Sequence, residues 1–233
     1  MLPKFDFHVH TLYSSDGEGT VSSMVEAAEA RGLAAVAITD HGPELSVGIS
    51  PHKIVPMLRD IELARKDARI PVFTGMEANI IGIDGEIDLD EWIVEKLDVL
   101  VVGLHRLGSL GHRPEELARD YLKSVMNVME RQRVDILAHP FQFHRYLAPY
   151  LSPDEVNEFV KLAAKKEFAV ELNSKYRVPD ENFLRECIRD GVKLSIGTDA
   201  HTTAEVGRVD WPMAMLRRVG ARAEDLVLNK FLR

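Results

Sequence analysis

Six short, strand-like apolar runs in this chain each end in a residue able to ligate a divalent cation. They are FDFHVHT with His8 and His10, AVAITDH with Asp40 and His41, PVFTGME with Glu77, VLVVGLH with His105, DILAHP with His139, and KLSIGTDAH with Asp199 and His201. Carboxylates and imidazoles scattered singly over a fold would be buried without partners, which is costly. The pattern is satisfied if the strand ends share one face. Parallel β/α barrels provide such a face, because all their strands finish on the same side.

The remaining pattern agrees with this architecture. Strands are expected at roughly 4–9, 34–39, 71–77, 98–104, 134–138, 168–172 and 193–198, most of them rich in Val, Ile, Leu or Phe. Helical periodicity fills the intervals: Thr20 to Arg31, Pro51 to Arg69, Pro114 to Arg131, Ser152 to Lys166, Asp180 to Asp190 and Ala204 to Val219. RPEE and SPDE are helix-start signals. Continuous apolar strands separated by helices mean a parallel sheet covered by helices. A doubly wound open sheet is the rival, but it would gather ligands at one crevice. Here they come from all along the strand order, which favours closure.

The 233 residues are expected to form a single domain spanning 1–233. A net charge of −8 argues against a general nucleic-acid surface. A lone cysteine, Cys187, excludes an internal disulfide framework, fits a reducing compartment and reads as packing within a helix. No apolar run approaches the roughly 20 residues of a membrane span. The first residues, acidic and His-rich, do not resemble a signal peptide. A cytoplasmic location is expected.

His8 and His10 stand two apart, so on an extended strand both imidazoles face one point. That suits a divalent cation. Asp6 lies on the same face, one step deeper. Thr11 and the Asp16-Gly17 turn can add hydroxyl and carboxylate support. Asp40 and His41 are adjacent and cannot both point inward. Ligation is assigned to His41, while Asp40 orients a ligand histidine or caps a helix start. Glu77 can bridge two cations, which an imidazole does not normally do; the alternative is an edge residue turned to solvent. His105 and His139 each follow an apolar run, where a lone histidine is ordinarily a core residue. Their agreement in position with the other strand ends makes them candidate ligands. Asp199 would meet His8 and His10 in a closed barrel, where last and first strands are neighbours. His52 and His112 read as surface residues. His144 lies on a loop above the ligand face, within reach of a substrate.

The motifs HVHT, ITDH, GME, GLH, AHP and GTDAH, in this order from Phe5 to His201, resemble the polymerase-and-histidinol-phosphatase (PHP) family. The resemblance implies a distorted seven-stranded (β/α)7 barrel and a trinuclear centre of two to three divalent ions (Zn, Mn or Fe). It further implies phosphoester hydrolysis by a metal-activated hydroxide. His8, His10, Glu77 and Asp199 would surround the first ion. Glu77, His105 and His139 would surround the second, with Glu77 bridging, and Asp16, His41 and His201 the third. Asp40 would support these ligands, so that Glu77, Asp199 and Asp40 form the catalytic set. The phosphate would be held by Arg177, Arg106, Arg145 and Lys175. Arg177 comes first, because its loop resembles the family's phosphate-contacting segment.

A small phosphomonoester is the expected substrate, with a short oligonucleotide as the nearest nucleic-acid alternative; the oligomeric state stays open. Rival readings are a phosphodiesterase or nuclease, an amidohydrolase-type metal hydrolase and a non-catalytic partner-binding barrel. Amidohydrolases share the HxH pair, but many carry a bridging lysine at the fourth strand end, where this chain has Gly103-Leu104-His105. The sequence holds no GxSxG and no P-loop pattern.

Overall fold

The computed structural model describes residues 2–107 and 113–232, so His112 lies outside the described residues. In chain order the elements are α1 (Val21–Ala30), β1 (Val36–Ile38), α2 (Ile54–Asp67), β2 (Val72–Ile81), β3 (Glu86–Ile87), α3 (Glu91–Val94), β4 (Val99–Gly103) and α4 (Pro114–Arg131). There follow β5 (Ile136–Leu137), β6 (Gln142–Phe143), β7 (Arg145–Tyr146), α5 (Pro153–Lys165), β8 (Ala169–Asn173), α6 (Glu181–Asp190), β9 (Leu194–Gly197), α7 (Asp210–Val219) and α8 (Leu228–Phe231).

The parallel strands run β1-β2-β4-β5-β8-β9 in one curled sheet, each paired with the next strand of the path. Every residue of β1, β4, β8 and β9 is buried. Burial on both faces is what helices packed outside a parallel sheet require. The helices present apolar stripes: α1 buries Val21, Met24, Val25 and Ala28. Their starts follow the sequence signals. Ser152 and Glu155 form a reciprocal capping box on α5, and Asp180 accepts from the Phe183 amide on α6. Cys187 is fully buried in the core, and burial pushes its thiol upward, away from reactivity.

The strand expected at 4–9 is not a regular ladder. Residues 5–10 lie across both edges of the sheet through isolated parallel bridges, Asp6 with Val36 and Val9 with Ala200. The Phe7 amide donates to Ile196 O at 2.9 Å, and the Thr39 amide to Val9 O at 2.8 Å. Side chains interrupt the ladder: the His8 amide donates to Asp6 Oδ1 and the Val9 amide to Thr39 Oγ1. Phe5, Phe7 and Val9 point to the other side, into the core. There the Phe7 ring meets Phe5, Phe73 and Phe231 at centroid distances of 4.8, 5.5 and 5.5 Å.

Three further departures have local causes. β2 runs on past Glu77 to Ile81, because β3 returns antiparallel and pairs Ile80 with Ile87. The hairpin β6–β7 was not anticipated; Tyr146 pins it by donating to Asp180 at 2.6 Å. α7 begins at Asp210 rather than near 204, since Asp6 Oδ2 accepts from the Gly207 amide and holds that stretch in turns. At the end where strands begin, a hollow of about 460 Å³ is lined in part by paired charges, Lys230 with Asp135 at 2.7 Å and Lys166 with Glu130 at 2.6 Å. Among the described residues, no helix is long and apolar enough to cross a membrane.

Asp6 is the fastener of this arrangement. Fully buried, it accepts from the amides of His8, Thr198 and Gly207 and from the Thr198 hydroxyl. Asp6→Ala strands two buried backbone donors, at His8 and Thr198, and a part-buried one at Gly207. At about 1–3 kcal/mol for each unsatisfied group, denaturant melts should show a loss on the order of 3 kcal/mol or more. Asp6→Asn, which keeps one acceptor oxygen, should lose less.

Candidate metal centre

Glu77 sits within β2 rather than at its end, opposite Val101 on one side and bridged to His41 on the other. It has no exposed surface. Five imidazoles surround its carboxylate. Oε1 faces His105 Nε2 at 3.4 Å and His139 Nε2 at 3.1 Å. Oε2 faces His8 Nε2 at 3.2 Å, His10 Nε2 at 3.7 Å and His41 Nδ1 at 2.8 Å. The alternative of a solvent-facing edge residue is therefore excluded.

The remaining candidates adjoin this core. Asp199 Oδ1 lies 3.6 Å from His10 Nε2 and 3.5 Å from His201 Nδ1. Asp16 Oδ2 lies 3.2 Å from His201 Nε2 and 3.7 Å from His41 Nε2. All nine side chains named as ligands from the sequence thus come together in one connected cluster. Three triads have ligand atoms within 4.8 Å of one another: His8, His10 and Glu77; His41, Glu77 and His105; and His10, His41 and His201.

The donor set fits cations better than hydrogen bonds. Buried His8 Nε2, both nitrogens of His10, Asp16 Oδ1, His41 Nδ1 and Glu77 Oε2 have no hydrogen-bond partner. Several of these atoms stand close together, yet they are not aligned for proton sharing. Native interiors leave few polar atoms unsatisfied, so a group of six at one point marks a missing partner. Atoms that converge without bonding one another, all from nitrogen and carboxylate donors, are the surroundings a divalent ion needs.

The electrostatics reflect the crowding. Burial alone would raise the Glu77 carboxyl, but His8, His105 and His41 outweigh it and hold it well below the usual range. Burial would lower His8; Glu171 and Glu77 overcome that and raise it well above its ordinary value. His10 goes the other way, driven well down by burial and by the neighbouring His41 and His8. Burial would also raise Asp16, yet His201 and His41 hold it below the usual carboxylate value.

Two supports escaped the sequence reading. Glu171, buried in β8, meets His8 Nδ1 at 2.7 Å and also accepts from the His139 amide. It fits because a Cβ at Gly197 on the adjacent strand would lie 1.7 Å from Glu171 Oε1. Asn79 Oδ1 meets His105 Nδ1 at 2.8 Å. Among the described residues, Asp40, by contrast, pairs with no imidazole and caps no helix. Its oxygens accept from the Thr11 amide and hydroxyl and the Ser14 amide, at 2.7, 2.8 and 3.0 Å. It shapes the 11–14 loop, whose Ser14 hydroxyl accepts from the His41 amide at 2.9 Å.

Of the four basic residues considered for phosphate, Lys175 reaches the cluster, with Nζ 3.1 Å from Asp199 Oδ1. Arg106, Arg145 and Arg177 are exposed. His139, Asp199, Arg177 and His144 all have positive φ, at 31°, 56°, 56° and 53°. Such backbone costs about 1–3 kcal/mol per residue and concentrates at functional sites. His144 lines a cleft of about 330 Å³ beside the cluster, together with His105, His139, Gln142 and Tyr176. His52 is exposed, as expected.

A model of the PHP domain matches residues 6–175. A protein of Acetivibrio thermocellus named "Probable phosphatase" is 33% identical over 233 residues, covering 96% of this chain and 90% of that protein. The histidinol phosphate phosphatase of Lactococcus lactis, crystallised with zinc, L-histidinol and phosphate, superposes with a TM-score of 0.69 at 19% identity, covering 95% of each chain. A structure from the metal-dependent tyrosine phosphatases of Bacillus subtilis and Streptococcus pneumoniae superposes with a TM-score of 0.56 at 15% identity, covering 97% of this chain and 91% of that one.

The support from Glu171 is open to a direct check. Glu171→Gln can turn an amide N–H toward His8 and oppose the ring it now orients. Losing such an outer partner typically weakens metal binding about 10–100-fold. Titration of the metal-stripped protein with zinc against a chelator should show that loss.

Proposed function

The chain belongs to the PHP domain family, and from that premise we propose that it is a metal-dependent phosphoesterase acting on a small phosphomonoester. The observation that carries this reading is the cluster of unpartnered buried nitrogen and oxygen atoms around Glu77. In it, His8, His10, Glu77 and Asp199 would hold one ion, Glu77, His105 and His139 a second, and Asp16, His41 and His201 a third. The division of Glu77 supports its role as a bridge: Oε1 faces His105 and His139, and Oε2 faces His8, His10 and His41. Bound divalent ions would supply Lewis-acid charge and a water of lowered pKa. The curled sheet, with residues 5–10 across its edges, is read as a distorted (β/α)7 barrel.

The chain's own residues account for the preference for a small monoester. Lys175 stands at Asp199 and offers an ammonium to a phosphate oxygen. Arg177, two residues on, can add a planar fork. The cleft beside His105 and His139 holds about 330 Å³, the scale of a small organic group. Tyr176 forms one wall, its ring 5.7 Å from that of His139. Asp40 keeps the 11–14 loop in place beside His41. A long polynucleotide would need a basic track, which a chain of net charge −8 does not obviously provide.

Metal-replete protein should carry two to three transition-metal ions per chain by elemental analysis. Glu77→Gln should lose at least one of them together with turnover, whereas Asp16→Ala should disturb the third position alone. Wild-type metal content in Glu77→Gln would remove the bridge from the assignment.

Initial rates on a monoester, a diester and an amide should fall in that order under one metal condition. A faster diester would make the protein nuclease-like, and a faster amide would move it to the amidohydrolase reading. Arg177→Ala should cost on the order of 1.5–3 kcal/mol, or roughly ten- to 150-fold in kcat/KM, with Arg177→Lys recovering part.

A further inference from the structure

Three imidazoles of the centre have one ring nitrogen held by a neighbour outside the ligand atoms. His8 Nδ1 faces Glu171 Oε1 at 2.7 Å, His201 Nδ1 faces Asp199 O at 2.9 Å, and His105 Nδ1 faces Asn79 Oδ1 at 2.8 Å. An ionised carboxylate and a backbone carbonyl can only accept, so they settle which nitrogen bears the proton. A side-chain amide is different. It accepts or donates according to which way it is turned. His105 therefore depends on whatever turns Asn79.

That control lies in the β2–β3 hairpin. Asn79 Nδ2 donates to Asp88 Oδ2 and, at 3.2 Å, to Gly42 O. Both partners are acceptors, which commits Nδ2 and leaves Oδ1 toward the imidazole. Asp88 is itself pinned: it accepts from the Asn79 amide at 2.7 Å and from the Glu44 amide at 2.9 Å. A Cβ at Gly42 would lie 2.3 Å from Asp88 Oδ1, so the carboxylate fills space that only glycine leaves. Asn79 is 5% exposed, so water has little access to replace either contact.

We propose that Asp88, acting through Asn79, is a positioning residue that fixes His105 as the Nδ1–H tautomer and leaves Nε2 bare toward Glu77. The value of that arrangement rests on the metal reading of the centre. If the amide turned over, its N–H would meet Nδ1, and the proton would sit on Nε2, on the side that must accept a cation. Asp88 thus determines whether His105 is available as a ligand, although the residue stands outside the cluster.

Two-bond proton–nitrogen correlation spectra of the histidine rings test this on the full chain at pH 8, with His105 assigned by its loss in His105→Gln. Wild-type protein, both metal-stripped and zinc-loaded, should show the Nδ1–H pattern for His105. In metal-stripped Asp88→Ala, which removes the carboxylate oxygen that accepts from Asn79 Nδ2, that ring should shift toward Nε2–H. His8 should be unchanged. Zinc affinity against a chelator should fall roughly 10–100-fold in the same variant. A wild-type His105 protonated at Nε2 overturns the proposal, whether or not the variant folds. So does an Asp88→Ala protein with wild-type tautomer and zinc affinity, or one whose change is spread equally over His8 and His201. Failure of wild-type protein to bind zinc would count against the metal reading instead, and the tautomer in metal-stripped protein would still decide the relay.

Discussion

Glu77 is a carboxylate with no exposed surface, and such a charge costs several kcal/mol to bury unless opposite charges or cations surround it. The chain meets that demand with five imidazoles drawn from four different stretches of sequence. Each stretch must then arrive at the same point, which constrains the sheet to curl and residues 5–10 to span its edges. The supporting groups follow from the same demand. Glu171 holds His8, Asn79 holds His105, and the Ser14 hydroxyl holds the His41 backbone. Removing the central charge would leave these contacts without the object they are arranged around.

The centre also explains why several residues adopt backbone that side chains ordinarily avoid. His139 and Asp199 follow strands that stop abruptly, and positive φ at both lets the chain turn while the side chain stays over the sheet end. The cost is offset by hydrogen bonds and packing around each turn. The His139 amide donates to Glu171, and the Ala200 amide after Asp199 donates to His8 O at 3.3 Å. Strain of this kind persists only where the surroundings over-determine it.

Much of this was legible in the amino-acid sequence, because metal ligands need particular side chains and strand ends are easily recognised. All nine candidate ligands converge, and the helices that start at Pro114 and Pro153 begin where RPEE and SPDE stand. Glu171 was missed although the argument used for Glu77 applied to it: a carboxylate among Ala169, Val170 and Leu172 is expensive unless paired. Asp88 had no such signal, since a carboxylate near a glycine turn is ordinary. The partners of Asp40 were hidden because adjacency to His41 says which side chain can point inward, not what the other will meet. The irregular first segment was also hidden, since its pairing is broken by the Asp6 and Thr39 side chains rather than by anything in its apolar pattern.

The contact between Asp6 and Thr198 joins positions 192 residues apart in the chain. A nascent polypeptide grows at about 5–20 residues per second, so roughly 10–40 s separate the synthesis of these two partners. Throughout that interval His8 and His10 exist without Asp199, and the sheet has an unpaired edge. Loop closure over such a distance must be met before any of the reward is collected, which makes it a late event in folding. The cluster is therefore completed last, when the final strand docks, and a chain cut short of that strand would carry His8, His10, His41, His105 and His139 without the Asp199 and His201 that close around them.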